Sequence, residues 1–156
     1  PYLLSMTIVS WLFIVYLVGS WSSAWFGSLS DTYGRQKVLY SGILIMLTGA
    51  VLTFPVNLTL KIIGLVIFTF GFFGSHSTAS GWVSQLAETD KAQASSLYLF
   101  AYYMGSSIGG TIGGLFWSKY GWTGTVTFMV SSLLITLIFA GLIHYLYLNY
   151  KKMQDI

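Results

Sequence analysis

The chain has 156 residues, of which 55% are hydrophobic and only 7% charged, with a formal net charge of +3 and no cysteine. Soluble domains carry roughly 25% charged residues, so a water-soluble globule is excluded. The missing cysteines exclude disulfides and thiolate chemistry, and the small positive charge does not amount to a nucleic-acid surface.

The charges partition the chain. They fall at Asp31, Arg35 and Lys37, at Lys61, at Glu88, Asp90 and Lys91, at Lys119, and at Lys151, Lys152 and Asp155. Five uncharged runs separate them, 1–30, 38–60, 62–87, 92–118 and 120–150. Each exceeds the ~20 residues that a helix needs to cross a bilayer core of about 30 Å. The runs do not alternate apolar and polar residues as barrel strands do, so the expected fold is an all-α integral membrane protein with five transmembrane helices.

In chain order, the first span is expected at about 5–26. It is too long for a signal-peptide core and lacks a basic region before it. The stretch Gly27-x-x-x-Asp31-x-x-Gly34-Arg35-Gln-Lys37 should then reverse the chain, with its glycines supplying positive φ. Arg35 offers a planar fork to a carboxylate, and Glu88 is the preferred partner. The second span, about 38–54, stops before Pro55. Asn57-Leu-Thr59 matches a glycosylation sequon but reads better as a helix cap.

The third span, about 61–86, carries the densest polar cluster, Gly74-Ser-His76-Ser-Thr-Ala-Ser80-Gly-Trp82. Polar groups at that depth should face a cavity or another helix. His76 and Ser80 lie one turn apart on one face. A buried histidine bonded between helices is the equal alternative. Asp90 is placed to cap the fourth span, about 93–117. There Gly105, Gly109 and Gly113, and beside them Gly110 and Gly114, repeat every four residues and make two smooth faces suited to close helix packing. A structural contact within this bundle is the favoured reading, and a surface that rocks against another half is the other. Thr123 is expected to cap the last span, about 123–148, with Trp117, Tyr120, Trp122, Tyr145, Tyr147 and Tyr150 as interfacial anchors.

Arg35, Lys37, Lys91, Lys151 and Lys152 share one side of such a bundle, and only Lys61 and Lys119 lie on the other. The positive-inside rule makes the first side, and the C-terminus, cytoplasmic. A chain that begins outside at Pro1 and has an odd number of spans reads as the tail of something longer. No metal-ligand spacing, nucleophile with a base, or phosphate-cradling loop is present, so neither an enzyme nor a cofactor is expected.

The stretch from Gly27 to Lys37 resembles the cytoplasmic loop signature of the major facilitator superfamily, Gly-x-x-x-Asp-Arg/Lys-x-Gly-Arg-Arg/Lys. Gly27, Asp31, Gly34 and Arg35 match. Thr32 and Gln36 replace basic residues, and Lys37 comes one position late. The run Gly105-Ser-Ser-Ile-Gly109-Gly110-Thr-Ile-Gly113-Gly114 looks like the eleventh helix of twelve-helix efflux members. The resemblance implies the C-terminal part of a secondary transporter, helices eight to twelve, most like bacterial drug or sugar efflux members. Its partners would be the lipid bilayer, a small-molecule substrate and the missing N-terminal half.

By that mapping His76, Ser80, Trp82, Tyr102, Ser106, Thr111, Tyr16 and Ser20 line a central cavity, and Asp31, Gly34 and Arg35 hold a cytoplasmic closure. With no charged residue inside any span, a proton-titrating acid is expected on the other half. His144 reads as interfacial or packed. The alternatives are a truncated, non-transporting membrane protein that packs its glycine faces against a partner, and an oligomeric channel.

Overall fold

The computed structural model describes residues 14–87 and 89–154, the side chains at 147–152 and 154 excepted. Among them every regular element is an α-helix: α1 (Val15–Tyr33), α2 (Arg35–Leu52), α3 (Leu58–Leu86), and a final helical stretch, Lys91–Gln154, broken by the non-helical Gly121 into α4 (91–120) and α5 (122–154). The expected first span begins outside the described residues, as does the whole of Glu88.

The charged stretch is not the loop that its composition implies. α1 continues through Gly27 and Asp31, and Gly34 alone reverses the chain, with φ 89° and its N–H bonded to Ser30 O at 3.1 Å. A side chain there would be strained, so glycine is required. Gly27 has no such role, because the positive-φ glycines are Gly34 and Gly121 alone among the described residues. The other end of α2 stops at Leu52, and Asn57 caps α3 by accepting the Leu60 N–H at 3.0 Å, as the sequon's alternative reading requires. Asp90 occupies the capping position of α4, its carbonyl accepting from Ala94 N at 3.0 Å.

Contacts give the directions of the helices. Ser22 bonds to Phe70 and Ser30 to Thr78, so α1 and α3 run parallel. Gly42 lies against Gly71 and Gly49 against Gly64, so α2 runs antiparallel to both. Tyr98 meets His76 and Phe116 stacks on Phe128, which continues the alternation through α4 and α5. α3 is the central strut, touching α1, α2 and the α4–α5 unit.

The interior mixes a few apolar side chains, Phe26, Ile43 and Leu133 among them, with small polar ones. Ser22, Ser30, Thr53, Ser75 and Thr78 are buried, whereas Leu97, Phe100, Tyr103, Ile138, Phe139 and Ile143 are each more than half exposed. In water such a surface would aggregate; in lipid it is the surface required. Helices in lipid gain from close packing and interhelical hydrogen bonds, the latter about 0.6 kcal/mol each. Both are present. Gly42, Gly49, Gly64 and Gly71 form a ladder between α2 and α3, where a Cβ on Gly71 would come 2.7 Å from Gly42 O and one on Gly64 2.7 Å from Gly49 O. Between α1 and α3, Ser22 and Ser23 donate to Phe70 O and Phe73 O, Ser77 donates to Ser23 O, and Phe26 fills the space left by Gly74.

Two helical stretches, Leu58–Leu86 and Lys91–Leu146, are long and apolar enough to cross a membrane, and the second folds back at Gly121. α1 and α2, at 19 and 18 residues, span about 28 and 27 Å and carry the serine seam and the charged reversal.

At the end opposite Gly34 a clasp joins three helices. Thr53 O, at the end of α2, accepts from Lys61 Nζ and from Trp122 Nε1, each at 2.7 Å, and Lys61 Nζ stands 4.6 Å from the Trp122 ring centroid. Trp122 is therefore a tether between α5 and α2 and not only an interfacial anchor. Trp122→Phe keeps an aromatic ring, though a smaller one, and removes the donor. It should lower stability by about 1 kcal/mol, read as a shift in thermal unfolding of the detergent-solubilised full-length protein.

Candidate functional site

One helical step of 100° distributes the polar cluster of α3 over three neighbours. Ser75 packs on Gly42 of α2, Ser77 and Thr78 bond α1, and His76 turns to α4. The His76 ring lies between Phe72 (6.1 Å, 11°) and Tyr102 (4.5 Å, 45°). The Tyr98 hydroxyl is 2.9 Å from Nδ1 and donates to His76 O at 3.3 Å. Nδ1 is thereby engaged whichever tautomer is present, leaving Nε2 as the ring's other polar atom. His76 thus bonds between α3 and α4, with its ring against Phe72 and Tyr102.

Beside this aromatic cluster is a groove of about 610 Å³ between α2, α3, α4 and α5. Met46, Phe68, Phe72, Phe128 and Met129 supply its apolar walls, and Tyr102 and Ser106 line it from α4 together with Gly105, Gly109 and Gly110. No charged side chain lines it. Among the described residues, a Cβ on Gly105, Gly109, Gly110 or Gly114 would meet nothing within 4 Å, and one on Gly113 would touch the Phe128 ring of α5 at 3.6 Å. Of the expected internal contact, the described residues supply the one at Gly113. The close glycine packing of this bundle belongs to Gly42, Gly49, Gly64 and Gly71.

The other expected cavity residues divide. Ser80 is half-buried one turn beyond His76. Thr111 is exposed and its hydroxyl bonds back to Ser107 O at 2.9 Å. Tyr16 lies across α3 on α1, edge-on to Phe73 at 5.7 Å, and lines a second groove of about 270 Å³; Ser20 donates to Tyr16 O at 3.2 Å. Phe68 and Phe72 line both grooves, so the two approach each other across α3. Trp82 belongs to neither. Six residues beyond His76 it has turned about 240° from that face, and it lies in a cleft with Gly34, Arg35 and Lys37.

At the reversal, Arg35 pairs with Asp31 at 3.3 Å, one turn apart, and the expected partner Glu88 lies outside the described residues. Asp31 stands in the last turn of α1, where a carboxylate opposes the helix dipole, and its side chain is 75% exposed. It contributes little to this bundle, which leaves it available to a neighbour. The residues that composition did not single out are Phe68, Phe72 and Tyr98. The first two fall at four-residue steps leading to His76, a period visible in the sequence.

A family model described as Major Facilitator Superfamily matches residues 2–154. The chain belongs to the major facilitator superfamily. Similar proteins are described as transporters or transport proteins. The uncharacterised MFS-type transporter YybF of Bacillus subtilis is 51% identical over 90% of this chain. The inner membrane transport protein YnfM of Escherichia coli is 43% identical over 92%, and an uncharacterised transporter of Buchnera aphidicola from Schizaphis graminum is 45% identical over 92%. The chain spans about a third of the length of these curated relatives: 35% of the first and 34% of the other two. No solved structure matches it. Major facilitator proteins are membrane transporters and not enzymes, in keeping with the chain's composition and outward-facing apolar surface.

Proposed function

We propose that this chain forms helices eight to twelve, the C-terminal part, of a secondary transporter that moves a small solute by alternating access. The observation that carries this reading is the open glycine face of α4 next to an uncharged aromatic groove. A smooth face left largely open among the described residues suits a surface that slides against the other half, and the groove beside it suits the solute.

In this reading all five helices are spans, with Arg35, Lys37 and the C-terminus cytoplasmic in the inner membrane, as the lysine and arginine distribution favours. Tyr102 and Ser106 contact the solute directly, with Phe72 and His76 behind them. Ser80, Thr111, Tyr16 and Ser20 come into play only as the halves move. Transport is proton-coupled efflux, with His76 the central titratable group of this part and a carboxylate on the other half. Asp31 and Arg35 hold the cytoplasmic closure against a helix of that half.

Asp31→Asn in the full-length protein tests this reading. It should lower transport about tenfold, equivalent to ~1.4 kcal/mol on the closed state, while insertion and yield are unchanged. Wild-type rates in proteoliposomes would remove the closure role.

A further inference from the structure

A second site lies at the Gly34 end of the bundle, away from the groove. It consists of two adjoining chambers. One, about 460 Å³, is lined by Arg35, Lys37 and Gln85; the other, about 270 Å³, by Leu39, Tyr40, Ala140, Ile143 and His144. Gln36, Trp82 and Leu86 line both, so the basic and the apolar chamber meet at these three side chains. Arg35 spends one contact on Asp31, and its guanidinium has further donors to offer. Lys37 is exposed and forms no ion pair among the described residues. His144 lines the apolar chamber, with its Nδ1 buried beneath the wall.

We propose that this cleft binds an anionic glycerophospholipid. The phosphate sits between Arg35 and Lys37, the glycerol and ester region meets Gln36, Trp82 and His144, and an acyl chain fills the chamber of Leu39, Ala140 and Ile143. The order of chemistry along the cleft selects this occupant. A planar guanidinium and an ammonium recognise phosphate, and an indole favours the depth where headgroup meets chain. Basic pockets between membrane helices take acidic headgroups. A free phosphate would leave the apolar chamber empty, and a choline lipid would bring an ammonium against two cations. Leu86 and Ile143, 65% and 63% exposed, leave the mouth open to the bilayer. The inference rests on these helices lying in a membrane but not on any transport step.

The test uses purified full-length protein in detergent, with phosphatidylglycerol, phosphatidylcholine or glycerol phosphate added, read by native mass spectrometry and thermal unfolding. Phosphatidylglycerol should be retained and raise the unfolding temperature, and the other two should do neither at equal concentration. Lys37→Gln should weaken phosphatidylglycerol binding roughly fivefold. Ala140→Trp, which fills the apolar chamber, should abolish retention. If Ala140→Trp fails to fold, Lys37→Gln, at an exposed side chain, decides alone. Equal binding of phosphatidylcholine overturns the proposal. So does equal stabilisation by glycerol phosphate, which would mean an anion site without a lipid, and so does wild-type binding by Lys37→Gln.

Discussion

Gly49→Leu should destabilise the protein by at least ~3 kcal/mol, the upper end of overpacking costs. Detergent-solubilised protein is expected to lose most of its monodisperse yield, with a clear drop in unfolding temperature in what remains. The reason is the identity of the obstructing atoms. A Cβ at Gly49 runs into the backbone N of Phe68 and lies 2.7 Å from Gly64 O, and backbone of a central helix cannot swing aside as a side chain would. α2 would have to move off α3. That separation would also open the Gly42–Gly71 contact seven residues away, along with the packing of Ile43, Ala50 and Leu133. An unchanged unfolding temperature for Gly49→Leu would mean that the two helices are not in this register.

Gly110→Leu should do the opposite. Among the described residues nothing lies within 4 Å of a Cβ there, and leucine is a better helix former than glycine by up to ~1 kcal/mol, so the bundle should tolerate the change. Transport by the full-length protein is nevertheless expected to fall at least tenfold, about 1.4 kcal/mol on the barrier, because a branched side chain would stand in the groove and on the proposed sliding face. Transport rate and unfolding temperature measured on the same preparation separate the two. If Gly110→Leu destabilises the protein as Gly49→Leu does, the face is a static contact.

The two sets of glycines also show how far the sequence could be read. Charge spacing and run length alone pointed to the all-helical class. The loop motif and the glycine-rich run pointed to the family that the comparisons bear out. The fourfold repeat at Gly105, Gly109 and Gly113 was conspicuous because small-residue faces recur at that spacing, yet spacing does not say whether a neighbour is present. The sevenfold pairs Gly42/Gly49 and Gly64/Gly71 lie equally open in the sequence, but they gain meaning only once α2 and α3 are known to run antiparallel in that register.

Local composition misled where a helix simply continued. Gly27, Asp31 and Gly34 looked like one loop, but a helix tolerates a single glycine at a cost of about 1 kcal/mol, and only Gly34 turns the chain. With Asp31 still helical, its carboxylate reaches Arg35 one turn later. Trp82 was grouped with His76 by proximity in sequence, whereas the 100° step sends it to the charged cleft. The apolar walls contributed by Phe128 and Met129 could not be foreseen, since they come from α5 after a reversal at one glycine, Gly121.

The central claim is that the groove beside the α4 glycine face opens to the two sides of the membrane in turn. This chain contains no cysteine, so a single Gly109→Cys in an otherwise cysteine-free full-length protein gives a unique reporter. A membrane-impermeant maleimide should label it both in right-side-out and in inside-out vesicles, and an imposed proton gradient should raise labelling from one side while lowering it from the other. Labelling from one side only, or labelling indifferent to the gradient, would contradict alternating access through this groove.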